Sequence, residues 1–145
     1  MIAEFTVRQD QGHPSGFDLG DMLWHGDLGE ANSSGQTPDQ GMMIYISTTQ
    51  LLDCLSELLR GQVKATTFTG TDTSFELTFR ATRRGVSITA RSGPVAVVTP
   101  AELAQTVLAA AERLARNHLD SLPSDGVRDD YLAALGDFRL VASKY

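Results

Sequence analysis

The chain has 145 residues, 41% of them hydrophobic, and 12 basic against 18 acidic side chains give it a formal net charge of −6. That is the size of one ordinary domain able to bury its own core, and no apolar run is long enough for a membrane span. The single cysteine, Cys54, excludes an internal disulfide and a cysteine-based zinc site.

"IAEFTVRQ" sets Ala3, Phe5 and Val7 on one face and Glu4, Thr6 and Arg8 on the other, which predicts a half-buried strand. It is not a charged start followed by an apolar stretch, so no signal peptide and a cytoplasmic chain are expected. "FDLGDMLWHG" predicts a second strand, and "GMMIYIS" a third with apolar residues on both faces. Between Trp24 and Met42 only Leu28 and Ala31 offer apolar surface amid glycine, proline and polar residues. A flexible loop is therefore expected over about residues 26–41, weakly ordered from Gly29 to Gln40 and anchored by Trp24.

Ser47 and Gln50 have capping-box spacing ahead of "LLDCLSELLRG", where Leu51, Leu52, Leu55, Leu58 and Leu59 form one stripe and Gly61 the terminator. Cys54 reads as a small hydrophobe on this helix. "VKATTFTG" predicts a strand, and Gly70, Thr71 and Asp72 a turn. In "SFELTFRATRRGVSITARSG" Phe75, Leu77 and Phe79, then Val86, Ile88 and Ala90, alternate with polar residues around "TRRG". A turn at Arg83 and Arg84 sets Glu76 opposite Arg91, Thr78 opposite Thr89 and Arg80 opposite Ser87. "VAVV" supplies a flanking strand. Thr99, Pro100 and Glu102 open a second helix with buried Leu103, Val107, Ala110, Ala111 and Leu114, and Val127, Tyr131, Leu132, Leu135 and Phe138 mark a shorter third. The expected fold is a single α+β domain over residues 1–145, an antiparallel sheet of about five to seven strands with two or three helices mainly on one face.

The succession "MMIYISTTQLLDCLSELLRG", "GTDTSFELTF" and the TPAEL-type helix, over residues 41–122, is similar to small uncharacterised α+β proteins of actinobacteria, some of them immunity-protein-like. The resemblance implies an interaction role and carries no catalytic residue with it.

Between Arg8 and Arg60 there is no Lys or Arg, while Asp10, Asp18, Asp21, Asp27, Glu30, Asp39, Asp53 and Glu57 fall in that interval. An acidic N-terminal third fits a basic protein partner and disfavours nucleic acid, whose phosphates need clustered Lys and Arg. Asp18, Asp21, Trp24, His25, Asp27 and Glu30 are the candidate partner-binding residues. An interaction module, of immunity or adaptor type, is the leading reading, with no cofactor and no membrane association; a homodimer through the second helix or an exposed sheet edge is compatible with it.

The alternative is a small-molecule or metal-dependent enzyme or binder with Trp24, His25 and Asp27 at the mouth of a pocket. His25 with Asp21, Asp27 and Glu30 has suitable metal-ligand types, but carboxylates in a Gly/Ser-rich segment are usually solvated. Ser33 and Ser34 lie near His25 in sequence, without the rigid setting a nucleophile needs. No GxGxxG or GxxxxGK[ST] offers a phosphate cradle. Arg80, Arg83, Arg84 and Arg91 read as a solvated edge that discourages aggregation.

Overall fold

The alternating N-terminal residues form β1 (Ile2–Val7), which pairs antiparallel with β2 (Leu19–His25) so that Ala3 faces Trp24 and Phe5 faces Met22. The computed structural model describes all of residues 1–145. On the other side of β2 lie β3 (Glu30–Asn32), paired with its end, and β4 (Met42–Met43), paired with its start. Helix α1 (Ile44–Leu59) leaves β4 directly. A meander of β5 (Ala65–Thr69), β6 (Glu76–Thr82), β7 (Gly85–Ala90) and β8 (Gly93–Val98) follows, then α2 (Pro100–His118), a single 3-10 turn, and α3 (Gly126–Ala142). None of the helices is long and apolar enough to cross a membrane.

The fold is α+β, with two antiparallel sheets of four strands each in place of the expected single sheet. The reason is α1, whose 16 residues carry the chain away between β4 and β5, so the strands before and after it cannot run on as one meander. The sheets still meet, through the Met43 amide of β4, which donates to the Thr71 carbonyl in the turn after β5 at 3.2 Å, and at a second corner. The amides of Leu28 and Gly29, in the turn between β2 and β3, both donate to the Val95 carbonyl of β8, at 3.0 and 3.1 Å.

Both sheets and all three helices share one core. Trp24 spans it, with its ring 5.9 Å from Phe5 and 5.7 Å from Phe79 in the second sheet. Leu51, Leu52 and Leu55 of α1, Leu103, Val107 and Leu114 of α2, and Leu135 and Phe138 of α3 close it from the helical side. The hairpin register is as the alternation predicts: Thr78 faces Thr89, Arg80 faces Ser87, and Glu76 lies 3.6 Å from Arg91. Thr99 caps α2 by accepting from the Glu102 amide, and Gly61 ends α1 at φ +78°.

Three local readings change. The apolar run "IYIS" is the first turn of α1 and not strand, and Met43 precedes the helix without a side-chain cap. Ser47 and Gln50 do not form a capping box; Ser47 Oγ accepts from the Thr71 amide, and Gln50 Oε1 accepts from the Thr71 hydroxyl. Their spacing serves a tertiary tie to the turn after β5. Leu132, placed on the apolar stripe of α3, is exposed, so that stripe is narrower than the sequence implies.

Tyr131 is buried and donates to the Ala111 carbonyl at 2.6 Å, with its ring edge-on to Tyr45 at 6.1 Å. Burial, with Asp18 adding a negative charge nearby, pushes the Tyr45 phenol up to about 12, and burial pushes Tyr131 higher still. Both folded-state values lie above the ordinary 10, so the unfolded chain releases these protons first. Their contribution is intact below pH 10 and is lost as pH rises through the folded-state values. Denaturant midpoints measured from pH 8 to 12 should therefore hold to about pH 10 and then fall, and replacing both tyrosines with phenylalanine should flatten that fall.

Candidate functional site

Arg8, just after β1, decides what the N-terminal acidic residues are free to do. Its Nε and Nη2 donate to both carboxylate oxygens of Asp21 at 2.9 and 3.0 Å, and its Nη1 and Nη2 to both of Asp39 at 2.9 and 2.8 Å. The Arg8 hydrogen bonds, and then the Gly41 amide, hold the Asp39 carboxyl well below the usual carboxylate range. A side chain at Gly41 would displace the guanidinium from this position. Asp21 also accepts from Ser33 Oγ at 2.8 Å, while Ser33 Oγ accepts from the Met22 amide at 3.0 Å. Two of the interval's carboxylates are thus neutralised internally.

This arrangement bears on three assignments. Asp21 is only 15% exposed and is committed to Arg8 and Ser33, so it is neither a partner contact nor an open metal ligand. Trp24 is 0% exposed because β2 turns its even-numbered side chains inward; it docks in the core, as the anchor reading expects, and is not a surface contact. The segment read as a flexible loop contains β3 and the buried Ser33, and its far end is tied by Asp39 to Arg8. Ser33 has both its hydrogen-bonding roles filled, which leaves nothing for a nucleophile.

The remaining candidates are scattered. His25 is 58% exposed with Nδ1 3.5 Å from Glu30, and Asp27 is exposed in the adjoining turn. Asp18 accepts from the Ser15 amide at the opposite end of β2, which is seven residues long, or roughly 20 Å away. Trp24, His25 and Asp27 do not converge on a pocket mouth, since Trp24 faces the core and the other two face solvent.

The largest cleft, about 430 Å³, opens between β3 and the base of the β6–β7 hairpin, with Glu30, Asn32, Gln36, Glu76 and Arg91 around it. No histidine or cysteine lines it. Nowhere do three or more His, Cys, Asp or Glu side chains gather as a metal would need.

Charge that is not neutralised gathers on the helices. Asp53 and Glu57 lie one turn apart on the solvent side of α1, and Asp130 and Asp137 two turns apart on the solvent side of α3, which packs along α1. Burial first, then Asp137, Glu57 and Asp130 in that order, raises the Asp53 carboxyl above its ordinary value. Each charged neighbour acting on it is negative. By contrast Glu112 of α2 pairs with Arg139 of α3 at 3.4 Å, as a structural helix surface commonly does. Asp130 and Asp137 were not among the sequence candidates, because the pairing of α1 with α3 is a long-range fact; the i, i+4 and i, i+7 carboxylate spacings were the available signal.

Compared with protein-family models, curated proteins and solved structures, the chain matches none.

Proposed function

We propose that the chain is a cytoplasmic, non-catalytic interaction module that binds a basic protein, as an immunity or adaptor protein does, and that α1 and α3 form the binding face. The observation that carries this is that Asp53 and Glu57 of α1 and Asp130 and Asp137 of α3 are all exposed on neighbouring helices, and none of the four takes part in an ion pair. Like charges held together cost stability, and the same chain neutralises acidic residues elsewhere, with Arg8 on Asp21 and Asp39 and Arg139 on Glu112. Carboxylates left unneutralised on one helix face are complementary to a cationic partner, which they attract over roughly 10 Å at 0.1 M salt. Relative to the sequence reading, the acidic surface keeps Asp53 and Glu57 from the basic-free interval and gains Asp130 and Asp137 from the C-terminal helix.

The test is a pulldown from source cells at low and high salt, with the wild-type chain and with a variant combining Asp53→Asn, Glu57→Gln, Asp130→Asn and Asp137→Asn. A basic protein should be recovered by the wild type at low salt and lost at high salt. The variant should lose it under both conditions while melting at the same temperature or higher, because the mutual repulsion is gone. Equal recovery by the variant, or no basic partner under either condition, would refute the proposal.

A further inference from the structure

Sheet edges present unpaired backbone groups, and this chain covers its edges unevenly. At the β8 edge Pro94, a register shift beside Thr89 and the Leu28 and Gly29 amides on Val95 all obstruct pairing. β1 lies against α2. β5, the other edge of the second sheet, reads "ATTFT" and has no proline, charge or bulge.

The bonds that flank β5 show which of its groups are free. The Lys64 carbonyl accepts from the Ala81 amide, and the Gly70 amide donates to Phe75. By the alternation of an antiparallel ladder, Thr66 and Phe68 bond to β6, whereas Ala65, Thr67 and Thr69 direct their N–H and C=O outward. Beside that edge runs a groove of about 300 Å³, with Thr67, Phe68 and Thr69 on one wall and Gln50, Asp53 and Cys54 of α1 on the other. The strand edge and the acidic helix therefore form two sides of one channel.

We infer that the basic partner docks an extended segment as an added strand on the open edge of β5, with its cationic side chains toward Asp53 and Glu57. The inference rests on the α1–α3 face being the binding surface. Backbone pairing supplies the hold, and alternate side chains meet the helix. Lys64 stands at the start of the strand, and the side chains of an added strand that lie opposite Phe68 share the face on which α1 packs, so the cationic positions of the ligand belong there, beside Asp53. A second copy fits less well. Two-fold pairing of β5 with itself would bring the Asp53 and Glu57 of each copy together, in a chain already at −6.

The probe is a nine-residue peptide of alternating Lys and Val, titrated into the full chain at low salt with fluorescence anisotropy as readout. A second peptide of the same sequence and charge is N-methylated at alternate residues, which removes its strand-pairing donors and leaves the protein untouched. Thr67→Pro removes an outward N–H without touching the β5–β6 ladder. The inference predicts that methylation and Thr67→Pro each weaken binding about tenfold or more, as expected for loss of one or two net hydrogen bonds. Asp53→Asn with Glu57→Gln should weaken it as well. If the methylated peptide and Thr67→Pro bind as tightly as their parents while the charge variant weakens, strand addition is wrong and the acidic face stands. If the charge variant also binds unchanged, or neither peptide binds, both readings fall. Sedimentation that shows a dimer dispersed by Thr67→Pro would assign the edge to a second copy and overturn the inference.

Discussion

Replacing Trp24 with alanine is expected to cost about 3–5 kcal/mol, a large share of the roughly 5–15 kcal/mol that holds a domain of this size together. The indole is wholly buried and touches Phe5 in the first sheet and Phe79 in the second, so its loss opens a cavity at the point where the two sheets meet. The melting temperature should fall by roughly 6–20 °C. Its buried Nε1 donates to no protein atom. Trp24→Phe removes that unpaired donor along with part of the ring. It should therefore be much milder than Trp24→Ala, and equal losses for the two would contradict the packing described.

The second large effect is expected at Gly26. A Cβ there would lie against the Val95 carbonyl oxygen and 2.6 Å from Ala96 Cβ, so the turn between β2 and β3 could not stay seated on β8. Gly26→Ala should cost about 1–3 kcal/mol by overpacking against backbone that cannot yield. It should also speed amide exchange at Leu28 and Gly29, whose bonds to Val95 tie the turn to the second sheet. Unchanged exchange at these amides would show that the turn does not depend on this seat. The same experiment reads Ser33, whose amide donates to the Met22 carbonyl; fast exchange there would restore the flexible-loop reading of residues 29–40.

What could be read from the sequence was local. The β6–β7 register followed from a period of two and a turn at Arg83 and Arg84, both set by neighbouring residues. The start of α2 followed from Thr99, Pro100 and Glu102 within one turn. The contacts of the segment after Trp24 were not legible because they come from afar: Ser33 bonds to Asp21 and Met22, Asp39 to Arg8, and Leu28 and Gly29 to Val95. A glycine-rich composition signals conformational freedom and is silent on distant partners that restrain it. Trp24 followed the same rule, since its alternation with Met22 was visible, but not the Phe79 waiting in the other sheet.

The candidate surface divides along the same line. A basic-free interval was plain in the sequence, yet Arg8 reaches forward to take two of its carboxylates, and α3 returns from the far end of the chain to add two others beside Asp53. Linear charge content therefore located half of the acidic face. Which acidic residues remain free depends on tertiary pairing.

The most direct measurement is amide chemical-shift mapping of isotope-labelled protein with the alternating Lys–Val peptide, at low salt and again at high salt. The account predicts perturbations along residues 50–57 of α1, around Asp130 and Asp137 of α3, and along β5, fading as salt is raised. Perturbations confined to Asp18, His25, Asp27 and Glu30, or to the cleft between β3 and the β6–β7 hairpin, would contradict it.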